Sequence, residues 1–157
     1  MDLLRGARAF ALDAVTGYLF GTVYGALQED IEKKDKLSAG LFVDSFVAVG
    51  RFFYLPKWAF TLLESLSASF AENKVRVEKS MENVDEFVTR IVEQADVDDL
   101  EEENTYQARM LRAKISKKET KAQCKDLMFA GTDSTGMNLA TICWYLSKNP
   151  EKYVALF

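Results

Sequence analysis

The residues best suited to chemistry stand together at Ala130-Gly131-Thr132-Asp133-Ser134-Thr135-Gly136. Two glycines and four polar residues interrupt a stretch that is otherwise apolar and helix-favouring, and such breaks of the local rule are where function concentrates. A glycine on a buried face lets a flat cofactor or a diatomic ligand approach the backbone. A hydroxyl at Ser134 or Thr135 can donate to the carbonyl one turn earlier and open a helix slightly. The neighbouring carboxylate, Asp133, completes an acid-alcohol pair able to relay protons into a dry pocket. In the competing reading, Asp133 and Ser134 cap a helix that starts here and Gly131 ends the one before. Spacing alone leaves the two open.

What the chain lacks narrows the chemistry further. Among 157 residues there is no histidine, which removes Ser-His-Asp and Cys-His catalysis, histidine metal sites and the usual base near neutral pH. A hydrolase or transferase built on Asp133, Ser134 and Thr135 is therefore disfavoured, because no such base is present to activate a hydroxyl. Cys124 and Cys143 are too few for a zinc site and, 19 positions apart in one helix, too far apart to bridge, so no metal ligand set is read and a reducing compartment fits. Twenty basic and 24 acidic residues give a net charge of -4, and no basic stripe with interleaved aromatics appears, which excludes a nucleic-acid partner. The acidic run Asp96 to Glu103 lacks the glycine and terminal glutamate of an EF-hand and reads as a solvated linker.

The elements that must hold the motif are helical throughout. Hydrophobic residues make up 48% of the chain and charged ones 28%, the balance of a globular domain, and apolar positions recur at three and four without sustained alternation. A first helix is expected from about Leu3 to Phe20, with Leu4, Ala7, Ala11, Ala14 or Val15, and Tyr18 on one face. Gly17, Gly21 and Gly25 mark its fraying end and a close-packed turn. The charge-dense run Gln28 to Ser38 should be a solvated loop or helix end, and Leu41 to Leu55, rich in phenylalanine, a buried or pocket-lining helix ending before Pro56. A long helical pattern follows from Trp58 to Ile91, including Val77, Met81, Val84 and Val88. Arg109 to Lys121 should form a short basic helix, and Glu119 to Ser147 one long helix with Cys124, Leu127, Met128, Gly131, Thr135, Leu139, Ile142 and Leu146 on a shared face. The fold class is all-α, with no sheet. The longest uncharged stretch, Ala14 to Gln28, is too short to cross a bilayer, which needs about 20 residues, and the N-terminus is charged where a signal peptide is apolar; a soluble, intracellular chain is expected.

Ala-Gly-Thr-Asp-Ser-Thr, set within Asp-Leu-Met-Phe-Ala-Gly-Thr-Asp-Ser-Thr-Gly, resembles the oxygen-activation motif in the central helix of the haem-thiolate monooxygenases, the cytochromes P-450. Ile142-Cys143-Trp144-Tyr145-Leu146 and Asn149-Pro150-Glu151 resemble the end of that helix and the start of the next, with Asn149 as cap and Pro150 first in the new helix. Upstream, Ala11-Leu12-Asp13-Ala14-Val15 and Leu19-Phe20-Gly21 look like the family's helix before the pocket roof, and residues 41 to 55 fall where roof helices would be.

The resemblance implies that residues 1–157 are a single all-helical segment with a long central helix and pocket-roof helices. In it, Ala130 and Gly131 would border the haem, and Asp133 with Ser134, then Thr135, would deliver protons during oxygen activation. Serine stands where threonine is usual, keeping the hydroxyl but losing the methyl that fixes its rotamer. The implied partners are an apolar small-molecule substrate, O2 and an NADPH-dependent reductase. Neither the Phe-x-x-Gly loop with its ligand cysteine nor the Glu-x-x-Arg pair is found in these residues, so the haem's axial cysteine is absent from this chain. A fragment truncated before those regions is expected, inactive by itself; complete relatives are often anchored in the endoplasmic reticulum membrane, and no anchor is seen here. The alternative is a non-catalytic truncated helical protein binding a hydrophobic ligand or partner. Self-association is expected of the fragment, since the central helix removed from its parent would expose an apolar face.

Overall fold

The computed structural model describes residues 2–31, 56–59, 71–95 and 104–154 of the chain. Among them the architecture is all-α, without a strand: α1 (Leu3–Phe20), α2 (Ala26–Ile31), α3 (Ala71–Gln94), α4 (Tyr106–Arg112), α5 (Lys117–Lys148) and α6 (Pro150–Val154). The expected first helix is present with the expected bounds, and the long helix begins two residues earlier than expected. The charge-dense run beyond Ile31, the aromatic segment 41–55, residues 60–70 of the long pattern and the acidic run 96–103 lie outside the described residues.

Side-chain caps start the helices. Asp2 accepts the N–H groups of Leu4 and Arg5 at α1, Thr105 that of Ala108 at α4, and Ser116 that of Glu119 at α5. Each satisfies N–H groups that the helix itself leaves unpaired. Between α4 and α5 the chain turns through Lys114, which sits at φ 60°. At the far end, the backbone N–H of Asn149 donates to the Leu146 carbonyl and its side chain to that of Tyr145, so that Pro150 opens α6 as expected.

Three helices meet along rows of residues four apart. Arg8, Leu12, Thr16 and Phe20 are buried on α1, Ser80, Val84, Val88 and Val92 on α3, and Thr120, Cys124, Met128, Thr132, Gly136 and Ala140 on α5. Packing one such row into the groove beside another is the commonest way for helices to cross obliquely. Both α1 and α3 run antiparallel to α5: Val15 faces Gly131 and Arg8 faces Gly136, while Glu93 pairs with Lys121 and Asp85 with Lys125. Leu12, Leu19, Phe20, Val84, Val88, Val92, Cys124 and Met128 form the common core. Each fully buried leucine, valine or methionine there contributes roughly 1.5–3 kcal/mol over an exposed one.

These rows correct the faces expected from the sequence. Tyr18 is exposed on α1, Met81 on α3, and Leu127, Thr135 and Ile142 on α5. A step of four residues rotates the contact by about 40°, so the buried stripe of α5 winds around the helix where the expected stripe of threes and fours runs straight. Polar residues with small or extendable side chains, Arg8, Thr16, Thr120 and Thr132, stand in these buried rows in place of larger apolar ones.

The α1–α2 corner is held by two polar side chains of α1. Gly21 takes the left-handed conformation at φ 69° and donates its N–H to the Gly17 carbonyl, and Gly25 lies at φ 89°; few other residues accept such angles. Thr16 accepts the N–H of Tyr24 at 3.0 Å. Asp13 accepts those of Gly25, Ala26 and Leu27 at 2.8, 2.9 and 3.0 Å, a cap for α2 supplied from twelve or more residues away. From α3, Phe87 stacks edge-on against Phe20 and Tyr24, and Lys117 at the start of α5 donates to the Glu93 and Ala95 carbonyls.

Asp13→Ala leaves three N–H groups at the start of α2 without their acceptor and should cost about 0.5–2 kcal/mol, the range of a lost helix cap, read as a lowered urea midpoint. A hydrogen bond from Lys121, and the charge it carries, hold the Glu93 carboxyl below the usual carboxylate range. A depressed carboxyl stabilises the fold above its unfolded pKa and loses that contribution as pH falls through its folded one. Lys121→Ala should therefore move the Glu93 titration, followed by carboxyl NMR, upward toward the ordinary range.

Candidate functional site

Helix α5 runs unbroken through the motif, so Gly131 ends no helix and Asp133 and Ser134 cap none. The hydroxyls bond to carbonyls one turn back instead: Thr132 to Met128 and Ser134 to Ala130, both at 2.6 Å. Asn138 and Thr141 continue the pattern, donating to the Ser134 and Met137 carbonyls at 2.9 and 2.8 Å. Such bonds share a carbonyl between helix and side chain and loosen the helix locally. Four of them fall between Met128 and Thr141.

Consecutive residues on a helix point about 100° apart, and here that divides the motif between faces. Ala130 and Ser134 are exposed, together with Leu127, Met137, Asn138 and Thr141, on a stripe opposite the buried Thr132 and Gly136. Thr135 is also exposed, beside that stripe. Asp133 points the other way, toward α1. Its Oδ1 accepts from Nη2 of Arg8 at 2.6 Å and from Nε at 3.1 Å. The Arg8 side chain is 9% exposed and that of Asp133 32%.

The glycines serve the same contact. A Cβ at Gly131 would stand 2.7 Å from Cγ2 of Val15. A Cβ at Gly136 would meet Cγ, Cα and N of Arg8 at 2.7, 2.9 and 3.0 Å. The structure thus brings Asp133 and both glycines to α1 and leaves Ala130, Ser134 and Thr135 on the open side. Sequence reasoning missed Arg8 altogether. The signal was present: a charged residue amid Ala7, Ala9 and Ala11 on a helix with little polar character.

Residues 1–156 match the family described as Cytochrome P450. The chain belongs to that family. Cytochrome P450 monooxygenase mfmF of Annulohypoxylon moriforme is 36% identical over 159 residues, covering 94% of this chain and 32% of that protein. The mitochondrial sterol 26-hydroxylase of Oryctolagus cuniculus is 27% identical over 157 residues, covering 94% of this chain and 28% of that protein. The chain thus spans about a third of the length of the curated relatives it matches. No solved structure matches it significantly.

The family implies a haem, and the open α5 stripe, with the small side chains of Ala130 and Ser134, has room for such a flat group. That surface fits; a metal ligand set does not accompany it, since no cluster of three or more histidine, cysteine, aspartate or glutamate side chains occurs among the described residues. No described helix is long and apolar enough to cross a membrane. Near its C-terminal end α5 carries further exposed apolar surface. One shallow groove runs between Phe10 and Leu139, another between Leu146 and Tyr153, and Cys143 borders both.

The two thiols of α5 differ sharply. Cys124 is fully buried and burial pushes its thiol up to about 11, whereas Cys143 is exposed. Only the thiolate attacks disulfide reagents. An aromatic disulfide reagent at neutral pH should therefore label Cys143 alone in the folded chain, and both cysteines once urea unfolds it; rapid native labelling of Cys124 would contradict the packing of α5.

Proposed function

We propose that this chain supplies the pocket roof and the oxygen-activation helix of a haem-thiolate monooxygenase, an oxidoreductase that inserts one atom of O2 into an apolar small molecule. The observation that carries this reading is the open stripe of α5, on which the Ala130 methyl and the Ser134 hydroxyl stand one turn apart on an unbroken helix, with Asp133 on the adjoining face. A haem bound there supplies the reduction of dioxygen and the transfer of one oxygen atom.

The remaining roles fall to this chain's own residues. Ala130 leaves room for the flat group, and Gly131, its empty side filled by Val15, lets α1 and α5 close behind it. Ser134 Oγ donates to the Ala130 carbonyl in the resting arrangement, which leaves its lone pairs to accept from a water. Turning outward, the same hydroxyl passes a proton on and takes another from water held by the Asp133 carboxylate. Thr135 adds a second hydroxyl at the edge of the stripe. The residues 41–55 select an apolar substrate, in keeping with a relative named as a sterol hydroxylase. Electrons come from an NADPH-dependent reductase, and the axial cysteine from sequence outside these 157 residues, so the chain alone is inactive.

A second reading, a non-catalytic helical protein that binds an apolar ligand or partner, is favoured by the exposed Phe10, Ile142, Trp144 and Tyr145 around the C-terminal grooves. The same surface supports self-association of the isolated chain.

Haem titration followed by a reduced carbon-monoxide difference spectrum separates the two readings. The isolated chain should give no thiolate-type Soret band, and a protein containing this segment together with the ligand loop should give one. In that haem-loaded protein, Ser134→Ala should lower product formed per NADPH about tenfold or more, the scale of a lost proton donor, and raise hydrogen peroxide release. Unchanged coupling would remove Ser134 from the proton route, and a thiolate-type band from the isolated chain would sink the assignment of the ligand elsewhere.

A further inference from the structure

We propose that α1 orients the acid of the motif: Arg8 is a positioning residue for Asp133, and Gly136 is the gap that lets Arg8 reach it. The proposal rests on the reading of Asp133 as part of a proton route and adds two residues to that route, neither of which touches the haem surface.

The geometry is specific. Arg8 stands in the buried row of α1, and it is the one charged residue in that row. Its guanidinium places two donors, Nη2 and Nε, on the same oxygen, Oδ1 of Asp133. Among the described residues Oδ2 accepts no hydrogen bond, and the Asp133 side chain is 32% exposed, so that oxygen is left for water. A carboxylate gripped by one oxygen is fixed in direction yet still has an open acceptor, which is what a group that must hold a water beside Ser134 requires. A lysine could supply the charge but not the planar two-donor grip.

The reach of Arg8 depends in turn on Gly136. Two of the three atoms that a Cβ there would strike belong to the Arg8 backbone, at 2.9 and 3.0 Å, and backbone cannot swing aside as a side-chain end can. A methyl at position 136 therefore displaces α1 itself and carries the guanidinium away from Oδ1. Gly131 differs, because only the Val15 side chain lies against it.

The experiment has two arms. In the first, urea midpoints of the 157-residue chain are compared for Arg8→Gln, Asp133→Asn, the double variant, and the same set on a Gly136→Ala background. The double variant should lose no more than the larger single loss, because the Arg8–Asp133 pair is already lost in each single variant. On the Gly136→Ala background the two losses should become small and additive. Independent losses in the parent background would overturn the pairing, and non-additivity that survives Gly136→Ala would overturn the role of the glycine. Should Gly136→Ala not fold, Gly131→Ala and Arg8→Lys take its place: the first should keep the non-additivity and the second should keep part of it, and loss of coupling in the first would overturn the assignment of the gap to Gly136.

In the second arm, the haem-loaded protein carrying this segment is assayed for hydrogen peroxide released per product. Arg8→Gln should raise that ratio several-fold with the carbon-monoxide spectrum and substrate KM unchanged, and Arg8→Lys should restore part of it. A purely structural clip would lower stability and leave the ratio where it was, which would overturn the positioning role. If no haem binds at all, the functional reading fails while the first arm still decides whether Arg8, Gly136 and Asp133 act as one unit.

Discussion

At Gly136 the backbone of α1 stands where a side chain of α5 would be, with Cα of Arg8 2.9 Å from the position of a Cβ. So close an approach fixes the crossing of α1 and α5 in both depth and direction. Five residues earlier α1 comes close again at Gly131, there through the Val15 side chain. Given these two points, the register of α1 on α5 is settled, and with it the facing of every residue between. Asp133 lies between them and must look toward α1. Ser134, one residue on, must look away.

The rest of the packing is organised around that crossing. All three long helices bury rows of residues spaced by four, and rows of this kind interdigitate only when helices cross obliquely. A helix packed against both α1 and α3 needs a stripe that winds, and four-residue steps supply it. The tie from α3 is largely electrostatic at the rim, with Lys117, Lys121 and Lys125 reaching back to Glu93, Ala95 and Asp85. Exposed pairs of this kind are each worth little. The valine row of α3 against Cys124 and Met128 carries the association, and the charges set its direction.

Much of this was legible in the sequence, though unevenly. The bounds of α1 and the Asn149-Pro150 junction follow from local chemistry, capping and the proline ring, and both stand as read. The Gly21 and Gly25 turn was legible for the same reason. The faces of the helices were not, because periodicity reports the apolar residues of a helix and not how many neighbours share them. Tyr18, Leu127 and Ile142 look like core residues by spacing and are exposed, whereas Thr16, Thr120 and Thr132 look peripheral and are buried. At the site, Asp133 and Ser134 were legible as a pair by type. That an arginine 125 residues away grips the acid is a tertiary fact with no local trace beyond one charge in an alanine-rich turn.

In the proposed proton route, the division of the acid and the alcohol between two faces gives each a separate part. Were Asp133 on the same face as Ser134, its charge would stand against the open stripe, where a desolvated carboxylate is costly unless paired. Turned toward α1, it keeps a cationic partner and partial contact with water while remaining one peptide away from the hydroxyl. In that route a neutral hydroxyl enters the side a haem would cover at far lower cost than a carboxylate. The carbonyl-sharing bonds of Thr132, Ser134, Asn138 and Thr141 loosen α5 over this stretch, so the hydroxyl can leave the Ala130 carbonyl without unwinding a rigid helix. Fixing the acid and freeing the alcohol are thus complementary requirements, and α1 meets the first while the sequence of α5 meets the second.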